Sequence, residues 1–461
     1  MVLVISVVVF IDFLLLTSVE CFFIPKIIDI PIDDKDSVGS PLYLTPLIES
    51  GHIEKAQKLS KVKLDGIVSH SGLLTVNEPC GSNLFFWFFP AKHNWTSSST
   101  LLWLQGGPGA TSMFGLFEEI GPYIVTKKGL KKRKYSWNKH LNLIFIDNPV
   151  GTGYSFTKYD NCYPTNETAV GNDLYKALIQ IFTLFPKIQQ NSFYVSGESY
   201  GGKYVPAISY TIHKNNPTAN ITIKLRGLLI GNGWSDPSTQ ISYHKYLFNL
   251  GLIDSKQKKQ YINMQHKFKR AIESQKWNEA EIIVSELIVA FNTPYNSTLF
   301  SNTTGLSQYY DYVHSSSGET SYWSKFIQSK KTRKAIHVGS LDFLWGDNSL
   351  KYLLQDTVHS VKPWIEILLE QYFVLFYNGE LDIVCGYPMM VNMIRSLKWS
   401  GAKKYKSAPR VHWYVGTKLA GYYKNSGHLT EVLVRNANHM VPLLQPKWAF
   451  EMVKNFTSEK C

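Results

Sequence analysis

The sequence predicts an α/β protein: a central, mostly parallel β-sheet flanked by helices, with a helical cap inserted between strands. Three observations predict it. Several short runs are continuously apolar, as strands buried on both faces must be. Helix-like stretches stand between some of these runs, and strand–helix–strand alternation favours a parallel sheet covered by helices. A polar block rich in Lys, Gln, Glu and Asn, from about Thr239 to Tyr322, interrupts the alternation as an insertion.

Each element follows in order. The strand-like runs are NLFFWFF (83–89), LLWL (101–104), LNLIFI (141–146), SFYV (192–195), LRGLLI (225–230), FVLFY (373–377) and HLTEVLVR (428–435). The stretch 172–185 carries apolar residues at helical spacing and stops before Pro186, and 447–456 has the pattern of a closing helix. Within the insertion, HKFKRAIESQKWNEAEIIVSELIVA reads as helical, a cap over one end of the sheet. The chain of 461 residues shows no repeat, and 44% hydrophobic content permits a large core. The expected division is a leader at 1–21 and one large domain at 22–461, with the cap at about 239–322.

The leader reading rests on MVLVISVVVFIDFLLLTSVEC, whose apolar run is broken by Asp12 and is too short for a comfortable membrane span. It reads as a secretory signal cut near Ser18 to Phe22. Nothing downstream has 18 uninterrupted apolar residues, so no further span is expected. Six N-x-S/T sequons, at Asn94, Asn166, Asn220, Asn296, Asn302 and Asn455, fit passage through the secretory pathway and are the glycosylation candidates. A secreted or lysosomal location is expected. Beyond Cys21 the cysteines are Cys80, Cys162, Cys385 and Cys461, which allow three full pairings and do not have zinc-site spacing. Cys385 follows a predicted core strand, where a buried free thiol and a bridge fit equally well. Net charge is +13, partly from KKGLKKRK at 127–134. That run reads as a solvated hairpin tip, and with no nucleic-acid motif beside it a nucleic-acid partner is not expected.

The chemistry concentrates in G-E-S-Y-G, 197–201, between the strand SFYV and helix-compatible sequence. This is the context of a nucleophile elbow: the glycines permit a sharp turn that lifts Ser199 out of the sheet edge. A serine needs a base, and the base an orienting acid. In the chain order Ser, Asp, His, the candidates are Asp382 in NGELDIV and His439 in NANHMVP, each just beyond a strand. LQGGPG, 104–109, follows another strand and can bring backbone N–H groups close to an oxyanion.

Together these stretches resemble the serine carboxypeptidases of the α/β-hydrolase fold, most of all the vitellogenic carboxypeptidase-like and venom serine carboxypeptidase group. SNLFFWFFPA, LLWLQGGPG, GLFEEIGPY, IDNPVGTGYSF, GESYGGKYVPAI, GNGWSDP, KAIHVG, NGELDIV and NHMVP carry the resemblance from about Pro41 to Phe456. It implies Ser199 as nucleophile, His439 as general base and Asp382 as its partner, with no metal or cofactor. It implies Gly107 and Tyr200 as oxyanion-hole donors. It implies Gln105, Gly106, Glu119 and Glu198, buttressed by Trp103, as the groups that bind a substrate's terminal carboxylate. The expected reaction is release of C-terminal amino acids from peptides with a free C-terminus, favoured at acidic pH. The paired acids explain the Glu beside the nucleophile: two adjacent carboxyls cannot both ionise cheaply, and the protonated one can donate to a carboxylate. The chain departs from the family pattern at Gly201 (usually Ala), Gln105 (usually Asn) and Asn438 (usually Gly), and the last change is expected to strain the histidine loop. Acyl transfer and ester hydrolysis use the same triad and differ in the pocket, and a non-catalytic binding role is the remaining alternative.

Overall fold

The computed structural model describes residues 38–289, 297–314 and 321–458. The leader, the sequon at Asn296 and Cys461 lie outside these. Among the described residues the main sheet has eleven strands. In chain order they are β1 (Lys61–Leu64), β2 (Ile67–Asn77), β3 (Ser82–Phe89), β4 (Thr100–Leu104), β5 (Asn142–Ile146), β6 (Phe193–Glu198), β7 (Leu225–Gly231), β8 (Phe373–Gly379), β9 (Val411–Val415), β10 (Lys418–Ser426) and β11 (Leu429–Val434). Their spatial order is β1-β2-β3-β5-β4-β6-β7-β8-β11-β10-β9. From β5 to β11 neighbouring strands run parallel. Antiparallel strands close both edges.

The apolar runs form strands because they are buried twice over. In β3, Leu84, Phe86 and Phe88 join one core while Phe85, Trp87 and Phe89 join the other, on the opposite face. At 0–1% exposure for all six, neither face is left to water. The helix α1 (Glu167–Leu184) starts five residues before the predicted stretch, because the side chain of Asn166 caps it by accepting the Ala169 N–H at 3.0 Å. It packs beside α2 (Gly201–Asn215), which follows β6 directly.

Between β7 and β8 the described residues are mostly helices and loops, with one two-residue strand at Leu344–Trp345. The predicted helical run is two helices: α3 (Ser255–Glu273), opened by an Asp254–Gln257 capping box, and α4 (Trp277–Val284). They part at Gln275, which takes a positive φ of 54°. Two further expectations are refined. KKGLKKRK spans a hairpin whose lysines lie toward solvent, but Arg133 is buried. Of the cysteine pairings left open, Cys80 bonds to Cys162, and Cys385 is a buried free thiol.

Candidate active site

β4 connects to β5 on one side and the chain then returns to place β6 on the other, so the path reverses between β4 and β6. In an open parallel sheet, the crevice at such a reversal lies outside the C-terminal strand ends and is where ligands bind. Leu104 pairs with Gly197 at the ends of these two strands. The residues that follow, Gln105 and Glu198, therefore meet side by side.

Ser199 sits on the turn from β6 into α2 with φ +60°. A serine holds this left-handed conformation only where its surroundings impose it. Here its N–H donates to the Gly231 carbonyl at 3.0 Å, and its own carbonyl accepts from Gly202 and Trp234, both at 2.9 Å. A Cβ on Gly197 would lie 2.8 Å from the Leu104 carbonyl oxygen, and one on Gly106 would lie 2.6 Å from the Tyr200 nitrogen and 2.7 Å from the Ser199 Cβ. The LQGGPG backbone thus passes in contact with the elbow, where no side chain can stand. Gly107, at φ +110°, and Tyr200, at the start of α2, line the same cleft as Ser199.

Asp382 and His439 come from the loops after β8 and β11. His439 Nδ1 lies 2.8 Å from Asp382 Oδ2. A carboxylate only accepts, so Nδ1 carries the proton and Nε2 is the basic nitrogen. Nε2 is buried, without a hydrogen-bond partner among the described residues, on a ring that lines the cleft with Ser199. Two positioning contacts went unassigned in the sequence. Asn232, just past β7 in the GNGWSDP stretch, donates to Asp382 Oδ2 at 2.7 Å and accepts the Gly379 N–H at 3.2 Å. Tyr310, from the polar insertion, accepts the His439 N–H on its carbonyl at 3.0 Å and lays its ring 4.9 Å from the imidazole. A post-strand Asn in a quoted motif was a signal for the first; nothing local marked the second.

The acids form a chain of contacts. Trp103 Nε1 donates to Gln105 Oε1 at 2.9 Å, which turns the amide so that Gln105 Nε2 donates to Glu198 Oε1 at 3.0 Å. Glu198 and Glu119 are each 1% exposed. Burial pushes both carboxyls above the ordinary range, and the charge of Glu119 raises Glu198 further. Two buried acids so close cannot both ionise cheaply, so the pair keeps a proton at neutral pH. Glu198 Oε2, which accepts nothing from the described residues, is free to carry it.

Comparison with known proteins settles the lineage. A family model described as serine carboxypeptidase matches residues 62–459. The chain belongs to the serine carboxypeptidase family. It is 49% identical to the venom serine carboxypeptidase of Apis mellifera, covering 93% of each chain. It is 44% identical to the vitellogenic carboxypeptidase of Aedes aegypti, covering 91% of this chain and 90% of that protein. The human probable serine carboxypeptidase CPVL is 43% identical over 92% of this chain and 90% of its own length. Among solved structures, Kex1 of Saccharomyces cerevisiae, a prohormone-processing carboxypeptidase, superposes with a TM-score of 0.76 at 24% identity, covering 87% of this chain and 96% of that one. That likeness establishes the α/β-hydrolase fold.

In this serine carboxypeptidase the cleft holds about 940 Å³, measured out to open solvent. Its walls are mainly apolar or aromatic, with Phe114, Trp234, Val284, Val289, Tyr309, Val384 and Met440 prominent, and Glu198 is the only carboxylate among the lining residues. Among the described residues no group of His, Cys, Asp and Glu could hold a metal ion. The departures from the family pattern resolve in different ways. Asn436, not Asn438, takes the left-handed conformation, at φ +49°. Asn438 accepts the Met440 N–H on its side chain at 3.1 Å, so the expected strain from losing a glycine there does not arise. At Gly201 a Cβ would stand 3.0 Å from the Leu104 carbonyl oxygen, so glycine is the easier fit.

Proposed function

We propose that this serine carboxypeptidase releases the C-terminal residue of peptides through an acyl-enzyme on Ser199. The observation that carries the reading is a pair of buried acids beside Ser199: Glu198, held by the Trp103–Gln105 hydrogen bonds, and Glu119, whose charge acts on it. Buried, proton-rich carboxyls beside a nucleophile suit one ligand group well: another carboxylate, which can accept a proton that the pair holds. Gln105 and the Gly106 backbone add donors at the same place.

His439 Nε2 takes the Ser199 hydroxyl proton as Oγ attacks the scissile carbonyl. The N–H groups of Gly107 and Tyr200 receive the developing oxyanion, the latter at the positive end of α2. His439 then passes the proton to the leaving amine, and the C–N bond breaks. Water, deprotonated by His439, attacks the ester carbonyl, and the C–O bond to Ser199 breaks as Oγ regains its proton. Asp382 stabilises the imidazolium in both halves. Terminal-carboxylate binding needs the protonated acid, so affinity for the substrate favours acidic pH. The apolar cleft walls support a preference for apolar and aromatic residues beside the scissile bond.

The sequons at Asn94, Asn166, Asn220, Asn302 and Asn455 all lie on exposed residues, which supports glycosylation during passage to a secreted or lysosomal destination. Among the described residues no helix is long and apolar enough to cross a membrane. The test is hydrolysis at about pH 5 of a blocked apolar dipeptide as free acid and as amide. Release of the terminal amino acid from the free acid, much slower cleavage of the amide and loss of both with Ser199→Ala are expected. A Ser199→Ala protein as active as the native one overturns the reading.

A further inference from the structure

Arg133 is the one basic residue of KKGLKKRK that the fold buries, at 8% exposure. Its guanidinium spends its donors on backbone carbonyls. Nε donates to Gly121 at 3.0 Å, Nη1 to Glu118 at 3.0 Å, and Nη2 to Tyr123 at 3.1 Å and to Phe117. Three of these acceptors, Phe117, Glu118 and Gly121, bracket Glu119. Glu119 itself ends a single π-helical turn, Gly115–Glu119. That turn lies against Trp103: a Cβ on Gly115 would stand 2.1 Å from the indole nitrogen. The segment bearing Glu119 is thus pressed against the Trp103–Gln105 pair from one side and gripped by Arg133 from the other.

We propose that Arg133 is a positioning residue for recognition of the substrate's C-terminus: it fastens the turn that carries Glu119 and sets a fixed positive charge near the Glu119–Glu198 pair. The inference rests on the reading of that pair as the carboxylate-binding group.

The surrounding charges show why a fixed cation matters there. Glu198 faces Glu119 from β6, and Asp382 adds a further negative charge acting on Glu198. Gln105 from the end of β4 is a neutral donor, and the buried Tyr377 hydroxyl from β8 is neutral throughout the working range. The positive charges that act on Glu119 are His439, which is charged only when protonated, and Arg133. Burial lowers Arg133 to about 10, partly offset by Glu118 and Glu119, so it remains charged at every pH where the enzyme works. Its field favours ionised Glu119, keeping the pair at one proton rather than two as pH rises from acid to neutral. Removing the charge raises the proton affinity of Glu119, so the proton-rich form that binds a carboxylate persists to higher pH.

The variants Arg133→Lys and Arg133→Gln separate grip from charge, with Glu198→Gln as the control for the underlying reading. KM and kcat for a blocked dipeptide acid and its amide are measured from pH 4.5 to 8. In Arg133→Gln, the midpoint of the rise in free-acid KM moves up by about 0.5 to 1 pH unit. In Arg133→Lys the midpoint stays near that of the native enzyme while free-acid KM rises about threefold to tenfold at all pH values, since one ammonium cannot hold four carbonyls. Amide kinetics change little in either variant. An unshifted midpoint in folded Arg133→Gln overturns the charge role. Native free-acid KM in Arg133→Lys overturns the grip, and decides the matter alone if Arg133→Gln does not fold. If Glu198→Gln keeps the native preference for acid over amide, the carboxylate-binding reading itself fails, whatever Arg133 does.

Discussion

Asn232→Ala tests how far the triad depends on a residue that never meets the substrate. Asn232 is fully buried, as is Asp382. Its side chain makes two bonds: to Asp382 Oδ2 at 2.7 Å and from the Gly379 N–H at 3.2 Å. The first is charge-assisted and contributes about 1.5–3 kcal/mol; the second, when lost, leaves an unsatisfied buried donor at about 1–3 kcal/mol. The variant is therefore expected to lose about 2.5–6 kcal/mol of stability. Asp382 Oδ2 keeps only the His439 contact, and Oδ1 only a long 3.4 Å bond from the Cys385 N–H, so the carboxylate can turn. Complete loss of such an acid costs about 10⁴ in kcat, and a loosened one should cost roughly 10- to 100-fold. Asn232 does not line the cleft, so KM should move less than about threefold. Urea denaturation and steady-state kinetics on a blocked dipeptide check both numbers. A folded Asn232→Ala protein with native kcat would refute the argument that the acid is held by this amide.

Further substitutions probe other links. Gly106→Ala places a methyl 2.6 Å from the Tyr200 nitrogen and should abolish nearly all hydrolysis, whereas Gly201→Ala, at 3.0 Å from the Leu104 carbonyl oxygen, should retain activity within about tenfold; kcat/KM ranks them. Lys203→Met breaks the buried Lys203–Asp356 pair, 2.7 Å apart, and leaves Asp356 beside the Tyr200 hydroxyl without its cation. A loss of about 3–5 kcal/mol in urea unfolding is expected. Asp147 is buried beneath the Thr111–Ser112 turn, and burial raises its carboxyl to about 7. A carboxyl raised in the folded state binds its proton more tightly there, so its contribution is complete below about pH 4 and is lost as pH rises toward 7. Asp147→Asn should flatten the fall in unfolding free energy across that window; an unchanged slope would rule out Asp147 as a contributor. Histidines lowered by burial, led by His70 at about 4, act in the opposite direction in both proteins and cancel from the comparison.

The parallel centre of the sheet was legible because its strands are buried on both faces, which leaves uninterrupted apolar runs such as NLIFI and FVLFY. The antiparallel edges were not. In β9, four of five residues are exposed or half-exposed, and in β10 the solvent-facing residues break the apolar pattern, so neither run stands out from a loop. The break between α3 and α4 was hidden for a related reason: SQK has no Gly or Pro, and only Gln275 with its positive φ reveals the reversal.

At the site the division is sharper. Local sequence determined which residues could act, because an elbow needs a glycine at 197, and the loops after apolar strands must emerge at one edge of a parallel sheet. Tertiary structure alone decided what those residues experience. Glu198 and Glu119 are 79 positions apart in sequence, and only the chain reversal between β4 and β6, together with the π-helical turn against Trp103, buries them together. The proton they share is a product of that burial: in water two such acids would both ionise at neutral pH. The grip of Arg133 is of the same kind. In KKGLKKRK it looks like one more solvated cation, and its place beneath Glu119 follows from a hairpin folding back over the turn, which no pattern within those eight residues encodes.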